Sequence, residues 1–483
     1  MSVAIISPNN VLANAMTRTI DMVRPRLQAT HPDQVAMCVG TQINGAPHAG
    51  TSLVHTAAFL LAKATRDAFD VDVIVRFGAL DNAPHAIVTD PATGHPYQQT
   101  YFHALGREGV RQLMGGHYRT LFDALSAATG VDYEVETYTT QQACPAFRRE
   151  FLATLAHLDR IRWALAPSSG RVHLRLPCPQ CGWAEKRAER TRVVRAGSGR
   201  ANFTAVCLHH GPYEVEVVAG DATTYLDLAT LYRNLVKERV AARDTATLSV
   251  MVKGGDWAYG CQLVDEAAGQ LPGSLPTPRI FAPMVLTDTG AKLSKSLIRD
   301  FTTPPPSGAR EWMLDIGAWP GDPDTFVDAM VRLVSEMLSD PKHFYRSYTT
   351  QELDRAMSLH SAPTPGVRAR HMNLYRQYFD LVSAGRKTIE VRVEYPNLRR
   401  LAAGDHIRFV CGTDEALTVV KRVGRYKTFE EMIDSEGPER VNPDSPRDTQ
   451  LANIRRIYGP EKEALGVLAI EIELLDRSAA GSG

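Results

Sequence analysis

The hydrophobic and polar positions fall into blocks whose period changes along the chain. Val35-Ala36-Met37-Cys38-Val39 is an unbroken apolar run of strand length. The polar loop Asn44-Gly45-Ala46-Pro47-His48-Ala49-Gly50-Thr51 follows, then apolar residues at helical spacing from Ser52 to about Phe69. A second run, Val71-Asp72-Val73-Ile74-Val75-Arg76-Phe77, reads as another strand. Strand, glycine loop, helix and strand predict the opening of a parallel α/β sheet with right-handed crossovers. Helices are expected around Gly106–Gly130 and Ala146–Leu165. Thr247-Leu248-Ser249-Val250-Met251-Val252, ending in Lys253-Gly254-Gly255-Asp256, returns to the sheet. Ligands of such sheets bind beyond the strand C-termini, where His48 and Asp256 converge.

The pattern breaks at Thr302-Thr303-Pro304-Pro305-Pro306-Ser307-Gly308, because three prolines continue neither a helix nor a central strand. Two or three helices are predicted from residue 309 to about 360, and Ser361-Ala362-Pro363-Thr364-Pro365-Gly366 is a second break. Beyond it a smaller domain is expected, with a helix at Met372–Ala384 and strands at Ile407–Val410, Thr418–Val423 and Val467–Leu475. The expected domains are an N-terminal appendage (1–34), a Rossmann-like catalytic domain (35–303), a helical connector (309–362) and a C-terminal barrel (367–476).

A chain of 483 residues with 44% hydrophobic and 22% charged residues suits a soluble globular protein. No apolar run is long enough to span a membrane and no signal sequence is evident, so no membrane partner and a cytoplasmic location are expected. Seven cysteines do not make a paired framework and fit a reduced compartment with a metal site. Net charge is zero, which argues against the whole chain being an electrostatic nucleic-acid binder. From Arg368 to Lys427, however, thirteen Lys/Arg face six Asp/Glu, either a basic surface that follows a phosphate backbone or an ordinary solvated face.

Two loops carry the candidate chemistry. In the first, glycines let the backbone approach a phosphate, and the helix N-terminus behind them presents free N–H groups. The second, Lys292-Leu293-Ser294-Lys295-Ser296, sets two ammonium groups and two hydroxyls in a polar loop after Ile280–Leu286. A separate constellation pairs Cys178-Pro179-Gln180-Cys181 with Cys207-Leu208-His209-His210-Gly211 about 25 residues later, the ligand types and spacing of a zinc ribbon (about 171–220). Cys178, Cys181 and Cys207 with His210, or alternatively His209, would close a structural Zn²⁺ site.

The glycine-histidine loop and the lysine loop resemble the HIGH and KMSKS signatures of class I aminoacyl-tRNA synthetases. With the helical stretch Tyr138–Leu165, the ribbon and Gly254-Gly255-Asp256, residues 35–300 are most similar to class I lysyl-tRNA synthetases, whose catalytic fold is the HUP-type Rossmann sheet. The resemblance implies ATP and Mg²⁺ as cofactors and lysine or a relative as substrate. It places Pro47, His48, Gly50 and Thr51 at the ATP phosphates, and Gly254, Gly255 and Asp256 at the ribose. Lys292 and Lys295, with Ser294 and Ser296, would neutralise departing pyrophosphate. Three departures stand out. Thr51 occupies the place of a second histidine, an acidic arginine-containing segment is reduced to Ala79–His85, and the large helical anticodon-reading domain is missing.

Gly385-Arg386-Lys387-Thr388-Ile389-Glu390-Val391-Arg392, followed by Gly404-Asp405-His406-Ile407, resembles the ASCH domain, a small β-barrel related to PUA RNA-binding domains. That resemblance implies Lys387, Glu390 and Arg392 at a nucleotide or RNA site. The leading expectation is a ligase that forms an aminoacyl-adenylate and transfers it to tRNA. The alternatives are transfer to a small molecule or nucleoside without tRNA, and an inactive RNA-binding paralogue.

Overall fold

The computed structural model describes residues 5–6, 18–197, 199–273, 277–293, 308–320, 323–361, 369–395, 398, 401–411 and 414–475. They form two compact units, residues 1–361 and 362–483. The first is built on a five-stranded parallel sheet. Its strands are β1 (Gln34–Gln42), β2 (Asp72–Leu80), β3 (Tyr133–Thr137), β4 (Thr247–Gly254) and β5 (Arg279–Ala282). Their spatial order is β5-β4-β1-β2-β3. β1 is central, and Val35 through Val39 are buried, which is why that run carries no polar alternation.

Helix α1 (Ala49–Phe69) crosses from β1 to β2 and buries Leu53, Ala57, Phe59 and Leu61 in the main core. Leu53, Phe59 and Leu61 each contribute about 1.5–3 kcal/mol on burial. The helix ends at Asp70, whose left-handed φ of 51° turns the chain into β2. Ile20 and Val23 from the N-terminal region pack into the same core. So do Trp312, Met313, Phe326, Met330, Leu333, Met337 and Leu353, so the described residues between 308 and 361, the segment expected as a helical connector, share the core of the first unit. Helix α2 (Thr230–Arg243) runs into β4 and joins a second core with Phe151, Phe203, Tyr232 and Leu235.

The cysteine knuckles lie between β3 and α2 in the chain; the strand after the first, Trp183–Glu185, pairs with Pro96–Thr100, and the second belongs to a small antiparallel sheet. In that sheet, strands Arg192–Gly197, Arg200–Cys207 and Gly211–Val218 pair in a meander.

The second unit is a curled five-stranded sheet. It contains β6 (Ala369–Asn373), β7 (Ile389–Val393), β8 (His406–Cys411), β9 (Asp414–Tyr426) and β10 (Val467–Leu474), in the order β6-β8-β9-β10-β7. All pairs are antiparallel except β6 with β8. Met372 was expected to open a helix; it lies in β6, and the helix starts at Arg376. Pairing with β8 overrides the helical spacing there.

Candidate active site

His48 is the N-cap of α1 and holds the glycine loop together. Its Nδ1 accepts from the Thr51 backbone N–H at 3.4 Å, and its Nε2 lies 3.0 Å from the Thr51 hydroxyl. An accepting Nδ1 assigns the proton of a neutral ring to Nε2, so the imidazole donates to Thr51 Oγ1. The hydroxyl hydrogen of Thr51 is then left to donate to an anion. Gly50 makes room for the ring, since a Cβ there would sit 3.1 Å from His48 Cε1. Pro47 anchors the loop by accepting from the Ile316 N–H at 3.4 Å.

On the other side of β1, β4 ends at Gly254, Gly255 and Asp256. A Cβ on Gly254 would lie 2.6 Å from Asp256 Oδ1, and one on Gly255 would lie 3.2 Å from Met284 Cγ. Gly254 therefore lets the Asp256 carboxylate lie against the backbone, while Gly255 makes room for Met284. Lys292 donates to Asp256 Oδ2 at 2.5 Å. Its neighbour Leu293 is buried, and the Leu293 N–H bonds Val285 O, so the start of the lysine loop is pinned while its ammonium stays half-exposed. Ser294, Lys295 and Ser296 lie outside the described residues.

These groups share one cavity of about 540 Å³, lined by Pro47, His48, Gly50, Thr51, Gly254, Asp256 and Lys292. The cavity continues past β1 to the ends of β2 and β3, where Gly78, Glu136, Tyr138 and Gln141 line it with Arg233, Asn234 and Lys237 from α2. Sequence reasoning missed this second half. Its residues are scattered over four elements far apart in the sequence, and only the fold makes them neighbours. Lys253 also faces the cavity; it donates to Asn234 Oδ1 and pairs with Glu238 at 3.3 Å, while burial pushes its ammonium pKa down. His55, one of the cavity residues, is buried among Phe77, Tyr118 and Phe122, and burial pushes its imidazole down to about 3.

The segment Ala79–His85 builds the wall behind this half. Asp81 is buried and accepts from the Thr139 N–H at 2.9 Å. Asn82 donates to Asp227 at 2.8 Å and accepts from Arg233 at 3.2 Å. Asp227, fully buried, also receives Gln98 at 3.2 Å and Arg175 at 2.6 and 3.0 Å. A buried carboxylate with that many donors is a fixed structural joint.

In the ribbon, the Nδ1 atom of His210 lies 3.5 Å from each of the sulfurs of Cys178, Cys181 and Cys207, and Cys181 Sγ is 3.3 Å from Cys207 Sγ. Tetrahedral ligands about 2.0–2.3 Å from zinc stand roughly 3.5 Å apart, so this Cys₃His donor set is compatible with the ion. His209 is outside the cluster, 6.1 Å from Trp183 ring to ring. Left-handed Gly182 and Gly211 make the two tight knuckles.

In the second unit Lys387, Glu390 and Arg392 do meet. Lys387 pairs with Glu390 at 3.4 Å and Arg392 pairs with it at 2.8 Å. Lys387 is 5% exposed, and its ammonium donates to Ile389 O at 2.7 Å and Val441 O at 2.8 Å. Burial pushes its pKa down, against the pull of Glu390. Its donors are thus committed to the fold, and Arg392, with a side chain 21% exposed, is the group that reaches solvent.

Residues 372–476 match the ASCH domain family, and this part of the chain is an ASCH domain. A solution structure of a protein from Pyrococcus furiosus is 34% identical over 23% of this chain and 99% of its own, with a TM-score of 0.20. Two solved structures align over the larger part of the chain. A glutamate-tRNA synthetase from Elizabethkingia anophelis is 12% identical over 67% of this chain and 70% of its own (TM-score 0.31). A provisionally named arginyl-tRNA synthetase from Campylobacter jejuni is 10% identical over 71% of each (TM-score 0.25). No curated protein matches the chain. No helix among the described residues is long and apolar enough to cross a membrane.

Proposed function

We propose that the first unit activates an amino acid with ATP. The observation that carries this reading is the single cavity in which a helix N-terminus with its His48–Thr51 pair faces an Asp256–Lys292 pair across β1. The amino-acid carboxylate attacks the α-phosphorus of ATP, a P–O bond forms, the bond to the β,γ-diphosphate breaks, and pyrophosphate leaves. No protein nucleophile is needed, so the residues act by position and charge. Thr51 and the α1 N-terminus hold phosphate oxygens, Asp256 accepts from the ribose, and Lys292, with Lys295, stabilises charge on the leaving group. Mg²⁺ bound with ATP would share that neutralisation. The Cys₃His cluster would hold a structural zinc ion, closed by four protein ligands.

The activated acyl group then passes to an acceptor, whose hydroxyl or amine attacks the carbonyl and releases AMP. tRNA is the first acceptor to test, with the ASCH domain as an RNA or nucleotide binder through Arg392 and Glu390. One observation favours a small-molecule acceptor. The described residues between 308 and 361 pack into the core of the first unit, and no separate helical domain for reading an anticodon follows the lysine loop among the described residues.

Amino-acid-dependent exchange of labelled pyrophosphate into ATP, with and without bulk tRNA, tests activation. Exchange with AMP release that ignores RNA selects the small-molecule acceptor. Nucleic-acid binding with no exchange for any amino acid selects the inactive paralogue and removes the ligase reading.

A further inference from the structure

The half of the cavity beyond β1 carries a charge pattern that names a substrate class. The nucleotide groups already assigned, Gly254, Asp256 and Lys292, lie at the ends of β4 and the segment after β5, on one side of β1. Gly78 and Glu136 lie on the other side, at the ends of β2 and β3. Two strand spacings separate β4 from β2, about 10 Å, which leaves the β2 and β3 side for the amino acid once ATP occupies the first half.

Lys237 reaches into that side from α2. Its ammonium would lie 3.9 Å from a Cβ built on Gly78, directly over the end of the sheet. Glycine there, beside Gly40 in the paired register, keeps the space in front of the amine open. No hydrogen bond or ion pair meets Lys237 among the described residues, unlike the other cations of the cavity. Lys253 is taken by Glu238 and Asn234, Lys292 by Asp256, and Arg233 donates to Asn82. Arg233 lies one helical turn from Lys237 and adds positive potential to the same side. The acid there is Glu136, which accepts from Gln141 at 3.0 Å and is the natural counter-charge for an α-ammonium.

Resting on the activation reading, we propose that the amino acid has an anionic side chain, of the aspartate or glutamate class, with its side-chain carboxylate on Lys237 and its α-ammonium toward Glu136. A lysine substrate would bring two ammonium groups to one carboxylate and set the second against Lys237 and Arg233. Like charges brought together in a partly desolvated pocket oppose binding.

The test is pyrophosphate exchange with each of the twenty amino acids, with and without bulk tRNA, on the full chain and on Lys237→Met and Lys237→Arg. Exchange is expected with aspartate or glutamate. Lys237→Met should raise KM for that amino acid by roughly 10- to 100-fold, the loss of one charge-assisted contact, with KM for ATP little changed. Lys237→Arg should recover part of the loss, which separates charge recognition from a folding defect. Exchange with lysine or a neutral amino acid in preference overturns the assignment and leaves activation standing. So does a Lys237→Met enzyme with unaltered KM for its acidic substrate. Absence of exchange with any amino acid, under either condition, overturns activation itself and this inference with it.

Discussion

The ammonium of Lys292 sits 2.5 Å from the carboxylate of Asp256, so the two charges assigned to opposite ends of ATP are paired with each other. Under the proposed activation, ATP would separate them, the ribose taking Asp256 and the phosphates taking Lys292. Lys292→Ala is therefore expected to lower single-turnover adenylate formation by about two to three orders of magnitude, as loss of a transition-state charge donor does. Affinity for ATP should change much less, because freeing Asp256 offsets part of the lost phosphate contact. Equal losses in rate and ATP affinity would make Lys292 a uniform binding contact.

Metal content provides a second check. Purified protein is expected to hold about one Zn²⁺ per chain by elemental analysis, with Cys181→Ser and His210→Ala each losing the ion. His209→Ala should retain it, since its ring is outside the cluster. Retention in His210→Ala with loss in His209→Ala would reassign the fourth ligand.

Acid stability should report His55. Its imidazole titrates at about 3 in the folded chain, because burial disfavours the charged ring, against about 6.5 when unfolded. Between those values the unfolded state binds a proton that the folded state does not. The associated stability is complete above about pH 6.5 and falls by up to about 1.4 kcal/mol per pH unit as pH drops toward 3. Urea unfolding at several pH values should show this limb flattened in His55→Phe, which keeps the aromatic cluster. An identical slope in the variant would assign the acid lability elsewhere.

In the ASCH domain, two neighbouring cations should behave differently. Lys387→Ala leaves Val441 O and the Glu390 carboxylate buried with fewer donors and is expected to destabilise the domain by about 3–5 kcal/mol, seen as a lowered unfolding midpoint. Arg392→Ala should spare pyrophosphate exchange and weaken nucleotide or RNA binding in a salt-dependent way. Binding unchanged in Arg392→Ala at low salt would remove this face from the acceptor reading.

The sheet and its loops were legible because apolar runs of strand length such as Val35–Val39, followed by a glycine loop, fit buried strands, and because His48, Asp256 and Lys292 sit in contiguous motifs. The knuckle cysteines were legible through spacing, which geometry then narrowed to His210. Lys237, Glu136 and Arg233 were not, since a lone charge on a helix face or strand end has no local signature. Lys387 shows the converse. Its motif was readable, but burial under the segment carrying Val441 depends on contacts 54 residues away.

Asp227 makes the ribbon difficult to discard. A chain shortened by excising residues 171–220 would lose Arg175 and leave a carboxylate sealed in the interior with only the amides of Asn82 and Gln98. Asn82 also accepts from Arg233 at the cavity wall, so the fault would run straight to the cavity. The insert cannot be removed from this chain without changing Asp227 in the same step.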